Sequence, residues 1–238
     1  MQLKQILASL ALATAAVSAS AGVVTVYENN GPVVINSNSN DVVAATPLTP
    51  TLSGGILVDM TLRFAGTIDG NDFLALWFGF DTTPNSGDRN LGTHTTGPNI
   101  GLKGNCGGSC VSGNDLFVRT TGTDGSFLSG SALATGTTYR LFGHLYKANG
   151  AQTYNQFDAW LDPTASEIST LSGFDARFAG NSGIANLNVF GFRSANLDAG
   201  DSVTVSNLRI QAVPEPGSLA LAGLGLLGLA ALRRRKVR

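Results

Sequence analysis

Short apolar runs with period-two alternation recur along this chain and constrain its fold most strongly. In residues 56–64, Ile, Val, Met, Leu and Phe occupy every second position, so one face of the segment is apolar. Residues 73–80 are apolar on both faces, which is typical of a central strand. The other runs with strand character are 115–119, 139–146, 155–161, 187–192 and 202–210. These runs predict an all-β fold.

Turn residues separate the apolar runs at 69–72, 83–87 and 147–150, and the last of these is typical of a hairpin. The apolar face of 202–210 changes phase near Asn207, which indicates a β-bulge. Helical periodicity is nearly absent before residue 218, apart from one or two turns at 164–172. We therefore expect a two-sheet antiparallel β-sandwich of jelly-roll type.

Charge is distributed unevenly between this middle part and the C-terminus. Residues 22–212 contain nine basic and fifteen acidic residues, a net charge of −6. Nucleic-acid binding needs a basic stripe that neutralises phosphates, so this composition argues against a nucleic-acid partner.

The N-terminal segment has the pattern of a secretory signal peptide. Lys4 precedes an apolar run at 6–17, and Ala19, Ser20 and Ala21 fit a small-residue cleavage site. The sequence thus predicts a signal peptide at 1–21, removal of it by signal peptidase, and a β-sandwich domain at 22–211.

The C-terminal segment predicts a short transmembrane helix. Residues 218–232 are apolar or small throughout. Fifteen helical residues span roughly 22 Å, less than the ~30 Å hydrocarbon core, so length alone leaves a buried helix open. The four cations that follow would be held on the cytoplasmic side by the positive-inside rule. They are Arg233, Arg234, Arg235 and Lys236.

The order of features at this end resembles the PEP-CTERM sorting tails that exosortases recognise. The tail covers 212–238, with a motif at 213–216, the helix at 218–232 and a basic end at 233–238. The resemblance makes Pro214, Glu215 and Pro216 the recognition motif and the cationic cluster the stop signal. A permanent single-span anchor is the alternative.

The resemblance also implies a destination. An exosortase-like enzyme would process the tail after transient anchoring in the inner membrane of a Gram-negative bacterium. The cargo of this family is typically found at the cell surface or in the extracellular matrix, in association with exopolysaccharide, biofilm or floc.

The middle of the chain has a second resemblance. The runs 99–102, 115–119, 139–141 and 157–163, in that order, are similar to laminin-G or concanavalin-A-like jelly rolls. That resemblance implies a glycan-related role and, in some members, bound calcium.

Two cysteines and one acidic turn are candidate structural sites. Cys106 and Cys110 could close a small disulfide loop in an oxidising compartment, or remain free thiols. Asp69, Asn71 and Asp72 offer oxygen ligands for calcium, which needs six or more oxygens; a plain tight turn is the alternative. The turn 198–201 is a weaker calcium candidate, and we expect no other cofactor.

Catalytic patterns are weak. A glycosidase needs two carboxylates at a defined separation. Asp158 and Asp162 would share one strand face, but four residues of strand place them roughly 13 Å apart. His94 lies in a Gly- and Thr-rich loop, and His144 lies within a strand, where a half-buried surface position is expected. We therefore expect a protein that is not an enzyme.

Glycan contact depends on exposed aromatic side chains. Trp77 lies in the run that is apolar on both faces, so we expect it in the core. Trp160 and Tyr146 lie opposite the apolar phase of their runs, which makes them candidates for stacking on a sugar, with core packing as the alternative. The sequence thus favours an exported non-enzymatic surface or matrix protein. The alternatives are a secreted polysaccharide-active enzyme and an anchored protein-binding module.

Overall fold

The computed structural model describes residues 22–36, 42–69, 72–80, 97–104, 114–122, 125–128 and 133–213, with backbone only for 42–45. The predicted signal peptide, His94, Cys106, Cys110 and the tail beyond residue 213 lie outside these ranges. Within them, no helix is long and apolar enough to cross a membrane, and the predicted helix 218–232 is not among them.

The described part of the chain contains thirteen strands and one short α-helix. The strands are β1 Val24–Asn29, β2 Val33–Ile35, β3 Val42–Leu52, β4 Gly55–Ala65, β5 Phe73–Gly79, β6 Asn99–Lys103, β7 Asp115–Arg119, β8 Ser126–Phe127, β9 Thr138–Tyr146, β10 Gln156–Leu161, β11 Ala176–Ala179, β12 Leu187–Ala195 and β13 Ser202–Val213. The helix, α1, spans Ala165–Thr170. The predicted all-β class is confirmed.

The strands form two sheets. Sheet A has seven strands in the order β1-β13-β4-β9-β10-β11, with β2 also paired to β13. Sheet B has six strands in the order β3-β12-β5-β6-β7-β8. Neighbours such as β4 and β9, or β12 and β5, run antiparallel. The two-sheet antiparallel sandwich is therefore confirmed, and residues Thr25–Ala212 make up its compact unit.

The main core lies between the inner faces of the two sheets. In β4 the residues at every second position are buried, as the alternation of 56–64 predicts; they are Ile56, Val58, Met60, Leu62 and Phe64. Leu74, Leu76 and Phe78 of β5 face them from sheet B. Burying one such side chain stabilises a fold by about 1.5–3 kcal/mol.

Three local predictions are confirmed. Asn207 has a left-handed backbone (φ 53), and the buried positions of β13 change phase there, as at a bulge. The β9–β10 connection turns through Asn149 and Gly150, which also have positive φ. Helix α1 begins at a capping box in which Thr164 and Glu167 bond each other's backbone N–H groups.

A second, smaller cluster lies on the outer face of sheet B. Trp77 and Ala75 of β5 pack there with Phe117 of β7 and Val189 of β12. Trp77 is only 2% exposed, so the expectation that it is buried is correct. Both faces of β5 are therefore buried, as its run of apolar residues predicts.

Candidate functional site

The outer face of sheet A assembles a polar group around Tyr146, here called the Tyr146 cluster. It comprises Tyr146, His144, Asp158 and Arg177. His144 of β9, Asp158 of β10 and Arg177 of β11 are direct cross-strand neighbours. Side chains that alternate away from the core face outward, so the antiparallel register brings these three together.

Asp158 is the centre of the Tyr146 cluster. Its carboxylate accepts hydrogen bonds from Arg177 Nε (2.6 Å) and Nη2 (2.8 Å), a two-point ion pair. The Tyr146 hydroxyl donates to Asp158 Oδ2 at 3.1 Å. Asp158 is only 2% exposed, whereas the Arg177 side chain is 39% exposed. The arginine therefore covers the carboxylate and offers its own outer edge to solvent.

The two rings of the cluster are held in their neutral forms. His144 and Tyr146 stack with centroids 4.3 Å apart and an interplanar angle of 15°. Burial lowers the pKa of His144 to about 4, although the charge of Asp158 acts in the opposite direction. Burial, then the charge and hydrogen bond of Asp158, raise the pKa of Tyr146 to about 12. Neither ring changes charge near neutral pH.

Trp160 requires a correction. It lies on the outer face of sheet A, as its phase predicts, but it is fully buried. Its Nε1 donates to Ser172 O at 2.9 Å, and Phe174 packs edge-on against the ring. The segment that follows α1 therefore covers Trp160, and the expected stacking of this ring on a sugar does not fit the structure. Tyr146, which is half-buried, stays a predicted glycan contact.

A second ionic group lies on the same face. Asp59 of β4 accepts from Arg140 Nε (2.9 Å) and Nη2 (2.8 Å), and from Arg209 Nη2 (3.0 Å). Asp162 accepts from the backbone N–H of Arg140 at 2.9 Å. Asp158 and Asp162 thus have separate partners, Arg177 and Arg140. Each carboxylate is held by hydrogen bonds in its own position on the sheet.

The calcium-candidate turn at 69–72 has the same pattern of hydrogen bonds as a second turn, at 198–201. Asp69 N–H donates to Asp72 Oδ2 (2.8 Å), and Asp72 N–H donates to Asp69 O (2.8 Å). Asp198 and Asp201 make the same reciprocal pair, at 3.2 and 3.0 Å. The first turn links β4 to β5 and the second links β12 to β13, so both connect the two sheets.

Asp72 is the unusual residue of these turns. It is fully buried, and its Oδ1 atom has no hydrogen-bond partner. Burial raises its pKa to about 6, and the charges of Asp201, Asp69 and Asp198 act in the same direction. Over the ranges that the structure describes, no three His, Cys, Asp or Glu residues are placed to hold a metal ion. Asn71 lies outside them, so calcium at Asp69, Asn71 and Asp72 stays a prediction.

Sequence reasoning missed the partners of these residues. Arg177 lies in β11, which shows no clear alternation, and its pairing with Asp158 depends on sheet register. The grouping of Asp72 with Asp198 and Asp201 joins turns that are far apart along the chain. A repeated Asp-x-x-Asp pattern was the one available signal.

Asp158→Ala is expected to lower the free energy of unfolding by about 2 kcal/mol, because Arg177 and Tyr146 lose their shared partner. The exposure of Arg177 keeps this loss below that of a fully buried pair. Urea denaturation measures the change. Glu28→Ala, which removes an exposed carboxylate, serves as the control and should shift stability by less than about 0.5 kcal/mol. Equal effects of the two substitutions would contradict this account.

Comparison with known proteins clarifies the C-terminus. Residues 212–236 match the PEP-CTERM protein-sorting motif. The match contains Pro214, Glu215, Pro216 and the cations Arg233, Arg234, Arg235 and Lys236. A PEP-CTERM motif indicates export, membrane-associated sorting to the cell surface and processing by an exosortase. No curated protein matches the chain at a significant level.

Several solved structures are similar to this chain at low identity, each with a TM-score below 0.5. An alginate lyase, Aly36B, in complex with alginate tetrasaccharide is 12% identical, with a TM-score of 0.44 over 77% of this chain and 80% of that one. The metal-free carbohydrate recognition domain of Emp46p is 11% identical, with a TM-score of 0.45 over 79% and 86%. A glycosyl hydrolase family protein from Mycobacterium fortuitum is 11% identical, with a TM-score of 0.42 over 76% and 74%. These likenesses assign neither a ligand nor an activity to this chain.

The PEP-CTERM motif begins inside the last strand of the sandwich. Strand β13 runs to Val213, while the match starts at residue 212. Pro214, the first residue of the Pro-Glu-Pro motif, follows the strand directly. No linker residues therefore separate the end of β13 from the motif.

Proposed function

We propose that this chain is an exported, non-enzymatic protein that its PEP-CTERM tail delivers to the cell surface or to the extracellular polysaccharide matrix. The match of residues 212–236 carries the proposal. The signal-peptide pattern at 1–21 supports it, because both ends then require the same topology, with the domain outside the inner membrane.

The outer face of sheet A supports a structural rather than a catalytic role. A general acid or base needs a pKa near the working pH and access to a substrate. Asp158 and Asp59 instead accept charged hydrogen bonds from arginines, and His144 has its pKa lowered to about 4. Ion pairs between neighbouring strands stabilise a surface that has to persist outside the cell.

Mass spectrometry of the protein from native cells and from the culture matrix tests this function. We expect material in the matrix that begins near Gly22 and lacks everything beyond about residues 214–216. Protein that ends at Arg238 and stays in the membrane fraction would instead indicate a permanent anchor.

A matched pair of variants separates recognition of the motif from anchoring. Replacing Glu215 with Ala leaves the apolar helix and the basic end intact. We expect this variant to accumulate uncut in the inner membrane, since the motif is changed but the anchor is not. Glu28→Ala, a substitution of an exposed carboxylate in β1, should be processed normally. Normal processing of both variants would show that Glu215 is not needed for processing, and the proposed role of the motif would be wrong.

A further inference from the structure

The direction of β13 shows which end of the sandwich lies nearest the sorting motif. The Thr61 hydroxyl of β4 donates to Ser206 O of β13. Asp59, earlier in β4, accepts from Arg209, later in β13. Strand β13 therefore runs towards the start of β4, where β4 pairs with the end of β9. We call the end of the sandwich at which β13 finishes the tail end, and the opposite one the far end.

The register of the strands assigns the connections between them to one end or the other. The described residues of the tail-end connections are 53–54, 80, 97–98, 120–122, 125, 147–155 and 180–186. The described residues of the far-end connections are 36, 66–69, 72, 104, 114, 133–137, 162–175 and 196–201.

Charge divides unequally between these two sets of connections. The described far-end residues include seven acids and no cation; the acids are Asp69, Asp72, Asp162, Glu167, Asp175, Asp198 and Asp201. The described tail-end residues include a single charged one, Lys147. The connections also have residues outside the described ranges, which add Asp41 at the far end. At the tail end they add three acids and one cation, namely Asp81, Asp88, Asp124 and Arg89. The formal net charge is then −8 at the far end and −1 at the tail end.

Tyr154 joins three of the tail-end connections into one surface. Its ring is fully buried, and its hydroxyl donates to Gly54 O at 2.7 Å. Its backbone N–H donates to Ile184 O at 2.9 Å. The neighbouring Thr153 hydroxyl donates to Asn181 Oδ1 at 2.7 Å. The connections 53–54, 147–155 and 180–186 are therefore held together, and their polar side chains form a platform.

Phe80 adds an apolar contact to this platform. It directly follows β5, whose Gly79 pairs with Val189 near the start of β12. Phe80 is 48% exposed. An exposed aromatic ring beside weakly charged polar loops suits the interface of a bilayer, where a ring reaches the acyl boundary and polar groups meet the headgroups.

The length of the chain brings the tail end close to a bilayer. Strand β13 runs to Val213, and the predicted transmembrane helix begins at residue 218. The chain from 213 to 218 spans at most roughly 18 Å, however it is arranged. Part of that length crosses the headgroup layer, which is about 5–8 Å thick on each side of the hydrocarbon core. The tail end therefore lies within about 10 Å of the headgroups.

Charge then favours an upright domain. The 12 residues of β13 rise about 3.3 Å each, so the far end of an upright domain lies roughly 40 Å above the surface. That height is well beyond the Debye length of about 8 Å at physiological ionic strength. A domain lying on its side would instead bring the acidic far end within reach of anionic headgroups, which repel it.

We infer that the tail end of the sandwich rests on the anionic phospholipid surface of the inner membrane for as long as the tail anchors the chain. Phe80 enters the headgroup layer, the polar connections lie on it, and the acidic far end points away from the membrane. The inference rests on the proposed function, because it requires the tail to be inserted in that membrane.

Fluorescence quenching tests the orientation on residues 22–238 in vesicles of phosphatidylethanolamine and phosphatidylglycerol. A fluorophore is attached through Gln152→Cys at the tail end or Ala199→Cys at the far end, both exposed positions, in a background of Cys106→Ser and Cys110→Ser. The quencher is a lipid with a nitroxide on its headgroup. Because the two positions differ by roughly 40 Å in height, we expect about fivefold more quenching at position 152. Equal quenching at both positions would overturn the inference.

A matched pair of substitutions tests the apolar contact. Phe80→Ser should lower quenching at position 152 about twofold, since the ring no longer enters the interface. Val34→Ser removes a side chain that is also exposed (58%) but lies opposite Thr204, near the start of β13, and should change nothing. Melting curves establish that each variant is folded. Equal quenching in the two variants would contradict the role of Phe80.

Lipid charge tests the electrostatic part. Replacing phosphatidylglycerol with phosphatidylcholine removes the repulsion of the far end, so quenching at position 199 should rise. High salt in phosphatidylglycerol vesicles should act in the same direction. Quenching at position 199 that ignores both changes would show that charge does not orient the domain, and the inference would be wrong.

These results are distinguishable from a failure of the proposed function. Equal quenching at both positions in vesicles would leave processing of the tail in native cells unaffected. The expected quenching in vesicles, with protein from native cells still ending at Arg238, would contradict the proposed function alone. Protein that does not float with the vesicles at all would contradict the predicted anchor and both proposals.

Discussion

Gly101→Ala is expected to destabilise the sandwich by about 3 kcal/mol or more. Gly101 lies in β6 between β5 and β7, opposite Ala75 and Phe117. A Cβ atom added there would lie 2.0 Å from Leu74 O and 2.6 Å from Ala75 Cα. Both are backbone atoms of the adjacent strand, so β5 and β6 would have to separate, and the centre of sheet B would lose packing and hydrogen bonds.

Chemical denaturation measures this loss, and a second glycine provides the control. A Cβ added to Gly31 would have Asn29 Oδ1 as its nearest neighbour, at 3.4 Å, which is an ordinary contact. Gly31→Ala should therefore change the free energy of unfolding by less than about 0.5 kcal/mol. If Gly101→Ala unfolds at the same denaturant concentration as Gly31→Ala, the close approach of β5 and β6 is not as described.

Asp72→Asn is expected to stabilise the protein at pH 7 and to leave it unchanged at pH 4. The folded-state pKa of Asp72 is raised to about 6 from an ordinary value of 3.8. Stability linked to the protonated form is thus fully present below pH 3.8 and is lost as pH rises through about 6. Two pH units correspond to at most about 3 kcal/mol. An asparagine retains the acceptor for Asp69 N–H and has no charge to bury.

Melting temperatures at pH 4 and pH 7 test this prediction. Bound calcium would reverse the sign of the difference in melting temperature between Asp72→Asn and the unmodified protein. If the turn holds a calcium ion, Asp72→Asn removes a ligand, so the variant would melt lower at pH 7, and a chelator would destabilise the unmodified protein. Asp69→Asn is the control for the lost charge alone, because Asp69 is exposed. A melting temperature of Asp72→Asn that falls with rising pH as steeply as that of the unmodified protein would refute the buried-carboxylate account.

Alternation along the chain was sufficient to predict strands that turn one apolar face to the main core. The run 56–64 became β4, 139–146 became β9, and the phase change at Asn207 became a bulge. Strand β3 was missed because Pro47 and Pro50 are typical of turns. It lies at the edge of sheet B, where a strand tolerates residues that donate no hydrogen bond.

Features that depend on distant segments could not be predicted. The phase of Trp160 was correct, but its burial comes from Ser172 and Phe174, which fold back over it after α1. The ion pair of Asp158 requires the register of β10 with β11. The pKa of Asp72 is raised in part by the charges of Asp198 and Asp201, which lie in a turn far along the chain. Period-two alternation specifies which face a residue occupies, whereas its neighbours on that face are set by strand order.

The order of the strands in the two sheets also determines when the domain can be completed. Strands β1 and β2 pair with β13, and β3 pairs with β12, so the first three strands find their places only beside the last two. Between them lie more than a hundred residues that have to emerge first, and closing so long a loop is entropically costly and slow. Because β13 is followed at once by the sorting motif, the last strand of the sandwich and the motif leave the ribosome one directly after the other. The sandwich is therefore completed by the strand that leads directly into the sorting motif.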